Sequence, residues 1–206
     1  MNTRTNICQI SAAAILIILF GSACGKVRYP ANYILDFPQS TIQDKAPTPR
    51  SGTVLVREFR CPGYLCRGPI VFRPSPEEVG YYEYHRWAVS PRLQITELMA
   101  ETLKVHSLFD QVTVWEKGLK ADYVLSGQIE RLEEVDRGRE VAVECVLSAE
   151  LTDAQTGLIL WSDRASETLP VSQRNVRGVV NALAQTSHNA AGSLVRSITK
   201  KFTEIP

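Results

Sequence analysis

Hydrophobic positions divide the chain into one continuous apolar run and a longer body in which they recur at regular spacing. The run is Ile10 to Phe20, where only Ser11 is polar. As a helix it would rise about 16 Å, roughly half of the ~30 Å hydrocarbon core of a bilayer, so it does not predict a stable span. No later stretch is long enough to cross either. The run is preceded by a short polar segment with Arg4 and followed by the small residues Gly21-Ser22-Ala23 and then Cys24, which predicts an export signal over residues 1–23.

The body reads as strands, one helix, a meander and a second helix. From Gly25 to about Ser51, Pro30, Pro38, Pro47 and Pro49 stand among polar residues, interrupted by Tyr33-Ile34-Leu35. Residues 24–51 are therefore expected to be a tether with one short strand, and residues 52–206 a single domain. Thr53 to Phe59, Ile70 to Arg73 and Tyr81 to Ala88 read as strands, the last two separated by Pro74-Ser75-Pro76. Ser90-Pro91 gives a helix start, with Ser as N-cap and Pro at the first helical position. Ile95, Leu98, Met99 and Leu103 recur at three-to-four-residue spacing and extend that helix to about Ser107. Val112 and Val114 mark a short strand ending near Trp115. Three strands then follow, around Tyr123–Ile129, Val141–Leu147 and Leu158–Leu160, separated by Asp- and Gly-bearing turns. Val176, Val179, Val180, Leu183, Ser187, Ala190, Ala191, Leu194, Ile198 and Phe202 trace one stripe of a helix from about Gln173 to Phe202. The fold class is α/β of the α+β type: a mostly antiparallel sheet with two amphipathic helices on one face.

Composition and charge narrow the function. The chain is 44% apolar and 22% charged, with 23 basic and 22 acidic residues. A chain beginning at Cys24 loses Arg4 and balances at 22 of each. That removes the electrostatic footprint of a nucleic-acid binder. The ending FGSAC resembles the lipobox of bacterial lipoproteins, whose cysteine takes a diacylglyceryl group before cleavage. Ser22, Ala23 and Cys24 fit it, and Gly21 stands where leucine is usual. Cys24 is the expected lipidation site, with acyl chains of the palmitate kind; the alternative is an ordinary cleaved signal with Cys24 a bystander. Two or more chains are what hold a protein stably at a bilayer. Gly25 rather than aspartate after the cysteine resembles lipoproteins sorted to the outer membrane. The expected place is thus the envelope of a Gram-negative bacterium, facing the periplasm, at the outer membrane in preference to the inner.

Cys61 and Cys66 flank a Pro-Gly turn that can bring their Cα atoms within the ~4.4–6.8 Å a disulfide requires. One disulfide is expected there, with two free thiols as the alternative. Cys145 alternates with Val141, Val143 and Leu147 and reads as a buried thiol. The chain has His85, His106 and His188 and carries no G-x-S-x-G elbow, phosphate loop, dinucleotide glycine pattern or H-E-x-x-H segment. No catalytic residue, cofactor or metal is expected. The acidic pairs Glu77-Glu78 and Glu133-Glu134 read as solvated loop or strand-end charges.

The stretch Ile70 to Trp87, IVFRPSPEEVGYYEYHRW, followed by Ala88-Val89-Ser90-Pro91, resembles the ABC-type transport auxiliary lipoprotein family, found with MCE-type lipid and organic-solvent-resistance systems. Tyr33-x-Leu35, Leu108-Phe109, Ala121 to Gly127 and Asp153 to Trp161 resemble the family too. The resemblance implies a non-enzymatic lipoprotein that works with an MCE-domain protein and an ABC permease and ATPase, helping lipids cross the envelope. It also implies docking through sheet edges or loops, self-association, and phospholipid as a ligand class. Within the block, strand alternation puts Tyr81, Glu83, His85 and Trp87 on one face and Tyr82, Tyr84, Arg86 and Ala88 on the other. Tyr81, Tyr82, Tyr84, His85, Arg86 and Trp87 are the candidate partner interface, since aromatic residues and Arg dominate interface hot spots. The other reading, an internally hydrogen-bonded core strand, stays open, and Arg73 and Arg86 would then pair with Glu77, Glu78 or Glu83. Outside the resemblance, an envelope-structural or secretion-assembly lipoprotein fits the same outline.

Overall fold

The computed structural model describes residues 28–39 and 50–203, apart from 117, 137 and 139. The expected signal, Cys8, Cys24 and residues 40–49 of the expected tether lie outside the described residues. In chain order the elements are β1 (Ala31–Tyr33), β2 (Arg50–Val56), β3 (Pro69–Ser75), β4 (Glu78–Trp87), α1 (Pro91–Val105), β5 (Phe109–Val114), β6 (Tyr123–Asp136), β7 (Val141–Asp153), β8 (Ile159–Pro170) and α2 (Val176–Thr203). The eight strands form one sheet, and the helices lie on one face of it.

The α+β class holds, but the sheet is mixed. Its longest ladders, β6 with β7 and β7 with β8, are antiparallel, as is β3 with β4. β1 runs parallel to β4, β2 to both β5 and β6, and β3 to β6. β2 and β5 can lie parallel because the chain between them passes through β3, β4 and α1 instead of a hairpin. β1 is bonded into the sheet: Ala31, Asn32 and Tyr33 pair with His85, Arg86 and Trp87, and the Ala88 N–H donates to the Tyr33 carbonyl. Past the strand end, Leu35 is buried and its N–H donates to Gln94 Oε1 at 2.7 Å.

The expected Ser90 side-chain cap is not formed, and Gln94 ties down the start of α1 in a different way. Ser90 sits at the N-cap, where its carbonyl accepts from the Gln94 N–H, but its hydroxyl makes no capping bond and is buried without a partner. The Gln94 amide instead donates to the Val89 carbonyl at 2.8 Å, joining the helix start to both β1 and the end of β4. α2 starts at Val176, the first residue of its stripe and three residues after the expected Gln173, because Asn175 caps it. The Asn175 Oδ1 accepts from the Gly178 N–H and its carbonyl from the Val179 N–H. The stripe from Val179 to Ile198 is buried as the spacing predicts.

β8 is far longer than Leu158–Leu160. It is an edge strand whose outward positions are polar, so only Trp161 and Ala165 of its side chains are fully buried, and periodic hydrophobicity marks little of it. The β7–β8 turn is set by Asp153, whose carboxylate accepts from the N–H groups of Gln155 and Thr156 and from the Thr156 hydroxyl. Those bonds, Thr156 first, hold its carboxyl below the ordinary range. Gly157 supplies the positive φ of 72°.

Phe59 is fully buried and its ring lies against Gly127 of β6, where an added Cβ would stand 2.3 Å from the ring. Gly127→Ala should therefore cost about 1–3 kcal/mol through overpacking. The check is the urea midpoint, and Phe59→Leu in the same chain should recover part of the loss by removing the ring.

Candidate functional site

The aromatic block on β4 is not a regular strand. Along β3 the register moves from Pro69 to Val71, while along β4 it moves from Arg86 to Tyr81, so β4 bulges by three residues. Residues three apart then share a side. Tyr82 and His85 stack edge to face with ring centroids 5.8 Å apart, although simple alternation separates them. The expected two-face arrangement is corrected accordingly.

The bulge gathers a half-buried polar chain that ends on the buried Glu134. The Tyr33 hydroxyl and His85 Nδ1 lie 2.9 Å apart, and the Tyr82 ring packs on His85 and on Phe72. The Tyr82 hydroxyl donates to Glu134 Oε2 at 2.6 Å. Gly80 makes room for the Phe72 ring, which would otherwise meet a Cβ at 2.3 Å. Burial, and then the bond to Glu134, push the Tyr82 hydroxyl up, and burial pushes the Glu134 carboxyl up against the pull of that same bond.

A second lock sits on the neighbouring position of β6. Arg73 of β3 donates from Nε to Glu133 Oε1 at 2.6 Å and from Nη2 to Oε2 at 3.1 Å. It also donates to the Pro76 carbonyl at 3.0 Å and to the Tyr64 hydroxyl at 3.4 Å. Tyr64 stands in the loop closed by the Cys61–Cys66 disulfide, whose Cα atoms are 6.3 Å apart. Glu133 is wholly buried and Glu134 nearly so, which overturns their reading as solvated charges. Arg73 pairs with neither Glu77, Glu78 nor Glu83, because its partner comes from a strand sixty residues away. No pattern local to either residue could have shown this.

The six candidate interface residues are thus divided. Trp87 is buried, Tyr82 and His85 belong to the internal chain, and Tyr84 is half-buried beneath Arg28, whose guanidinium lies 4.9 Å from the ring centroid. Tyr81 and Arg86 face solvent, as does Glu83 between them. Two further features carry no periodic signal. A groove of about 650 Å³ lies between α1 and the residues after β1, walled by Leu35, Phe37, Leu98 and Val105 with Glu97 and Glu101 also lining it. A second opening of about 520 Å³ is lined by Leu55, Arg57, Trp115 and Leu119, with Arg57 stacked on Trp115. Cys145 is buried, accepts from the Ser187 hydroxyl at 3.6 Å, and burial pushes its thiol up to about 12. Among the described residues no group of three or more His, Cys, Asp or Glu is gathered as a metal site, and no helix is long and apolar enough to cross a membrane.

Residues 33–195 match the ABC-type transport auxiliary lipoprotein component family. The chain belongs to that family. The match begins at Tyr33, so it takes in the Tyr33–His85 contact, both carboxylate locks and most of α2. A crystal structure of a protein from Xanthomonas campestris, described as a DUF330 member, is similar at 19% identity. It covers 84% of this chain and 97% of its own, with TM-score 0.72. An uncharacterised protein of known structure is similar at 17% identity over 82% and 99%, with TM-score 0.64. The PelC dodecamer from Paraburkholderia phytofirmans reaches TM-score 0.43 at 17% identity, over 74% of this chain and 93% of its own. The first two likenesses show the fold alone, and the third is too slight to bear on assembly. No curated protein matches the chain.

Two stability outcomes follow for this family member. Arg73→Met strands a buried carboxylate and should cost about 3–5 kcal/mol, whereas Arg73→Met combined with Glu133→Leu should lose much less; chemical denaturation of the cycle measures both. Glu134 has the opposite sign of pH dependence from a salt-bridged carboxylate. Its raised folded-state value means that the contribution of Glu134 to stability is fully present below the ordinary glutamate pKa of about 4.3 and is lost as pH rises above it toward the folded-state value. Glu134→Gln keeps an acceptor for Tyr82 without that loss. It should be at least as stable as the wild type at pH 7, with the difference closing toward pH 4 in the same measurement.

Proposed function

We propose that the protein is a membrane-anchored periplasmic lipoprotein that assists an MCE-type ABC system in moving lipids across the cell envelope, binding its partners rather than catalysing a reaction. The observation that carries this reading is the family match over residues 33–195. The FGSAC ending at Cys24 supports the anchor, and Gly25 after the cysteine supports the outer membrane as its place. The layout of the fold is consistent with a binding role. Aromatic and ionic residues of β3 and β4 make internal contacts, with His85 against Tyr33, Tyr82 on Glu134 and Arg73 on Glu133. Tyr81, Arg86, the groove beside α1 and the Trp115 opening are left for contact with an MCE-domain protein, a permease and ATPase complex, phospholipid, or further copies of this chain.

The test is affinity purification of the acylated full chain from membranes. Enrichment of an MCE-domain protein with the permease and ATPase, and altered envelope lipid distribution on deletion, are the expected results. Recovery with outer-membrane assembly or secretion components instead, with lipid distribution unchanged, would replace this reading with an envelope-assembly role.

A further inference from the structure

The free lead between the anchor and the fold is short. Arg28, the first described residue, is four residues from Cys24. An extended chain covers at most about 3.6 Å per residue, so Arg28 lies within about 14 Å of the cysteine. The domain cannot gain distance by releasing β1 without breaking what holds it: three register pairs with β4, the Tyr33–His85 contact, and the Leu35 N–H on Gln94. An acyl-anchored domain therefore keeps the start of β1, beside β4, close to the membrane.

That edge has the chemistry of a membrane contact. Tyr29 is 81% exposed, against the ordinary tendency of a ring to be covered. Arg28 lies over the Tyr84 ring, Arg86 is exposed with its guanidinium alongside Gly68, and Arg67 is exposed at the adjoining position. Beside Arg28, Arg67 and Arg86 the exposed acid is Glu83, with Glu78 at the far start of β4 and Asp36 past the end of β1, so arginine predominates around Tyr29 and Tyr84. Guanidinium groups take phosphate oxygens in paired hydrogen bonds, and tyrosine rings settle at headgroup depth. Basic side chains close to an anionic leaflet are drawn to it within a Debye length, about 8 Å at physiological salt, a distance of the same order as the short lead.

We infer that the β1–β4 edge is a membrane-docking surface, binding anionic phospholipid headgroups through Arg28, Arg67 and Arg86 with Tyr29 at headgroup level. This rests on the acyl anchor of the proposed function and adds an orientation to it: the sheet stands edge-on to the bilayer, with β1 inward and β8, the other end of the strand order, outward.

The experiment uses the acylated full chain in vesicles of phosphatidylethanolamine and phosphatidylglycerol. A photo-crosslinking phenylalanine analogue is placed at position 29 or, on the β7–β8 turn, at position 158. Position 29 should crosslink to phospholipid and position 158 should not. The triple variant Arg28→Glu, Arg67→Glu, Arg86→Glu should lower the yield at position 29 several-fold, and the reduction should shrink in vesicles of phosphatidylcholine alone. Mass spectrometry of the mature N-terminus separates the two claims. If the acyl chains are present and position 29 crosslinks to no lipid, to lipid no more than position 158, or to a second protein copy, the docking surface is overturned and the anchor stands. If the acyl chains are absent, both fall.

Discussion

A strand of fourteen residues inside a sheet must satisfy its N–H and C=O groups along both edges. β7 takes one edge of β6 over almost its whole length. The other edge is divided: β2 pairs with Tyr123 to Leu125, β3 with Glu134 and Val135, and between them the isolated Arg60–Gln128 bridge carries the chain across. Two sub-sheets, β5–β2 and β1–β4–β3, therefore hang from one edge of one strand. The ring of Phe59 fills the junction against Gly127, which is why the small residue at that place in the Ala121–Gly127 segment is required by packing rather than by turn geometry.

The β3 attachment has two register pairs, too few for backbone bonds alone to set its position. Side chains complete it. Glu133 and Glu134 point to opposite faces of β6, and each meets its own partner: Arg73 on one side, Tyr82 on the other. A slip of one residue would exchange the two faces and leave a buried carboxylate without its donor. The cost of that unpaired charge is a stronger constraint on register than the net stabilisation of the pair itself. Because β4 and β1 are attached through β3, the same two carboxylates help determine where the first strand sits relative to the helices.

Elements with strong periodic faces were legible in sequence. The stripe of α2 and the Pro91-led helix were readable because one face of each is buried against the sheet. β8 was readable only at Leu158–Leu160, since an edge strand has little need for apolar residues on its open side. The parallel pairings depend on which strands a connection skips, which no local pattern carries. The Cys61–Cys66 pair could be proposed from spacing, because five residues and a Pro-Gly turn limit the geometry by themselves. Arg73–Glu133 could not, and the acidic doublet resembled a solvated turn for the same reason: its meaning lies sixty residues away.

The shared aromatic block then needs a different weighting from the one its composition suggests. Four of its six large side chains are covered or partly covered by contacts inside the fold, and the bulge in β4 exists to bring Tyr82 and His85 to one side. Much of this stretch is consequently given to folding, the means by which β1 and β4 are secured to β6. Partner specificity has to be read from what those contacts leave outside: Tyr81, Glu83 and Arg86 on the strand itself, and the aliphatic wall beside α1. These are positions where substitution leaves the internal chain intact, so the surface can change partners while the tyrosine, histidine and carboxylate contacts beneath it stay fixed.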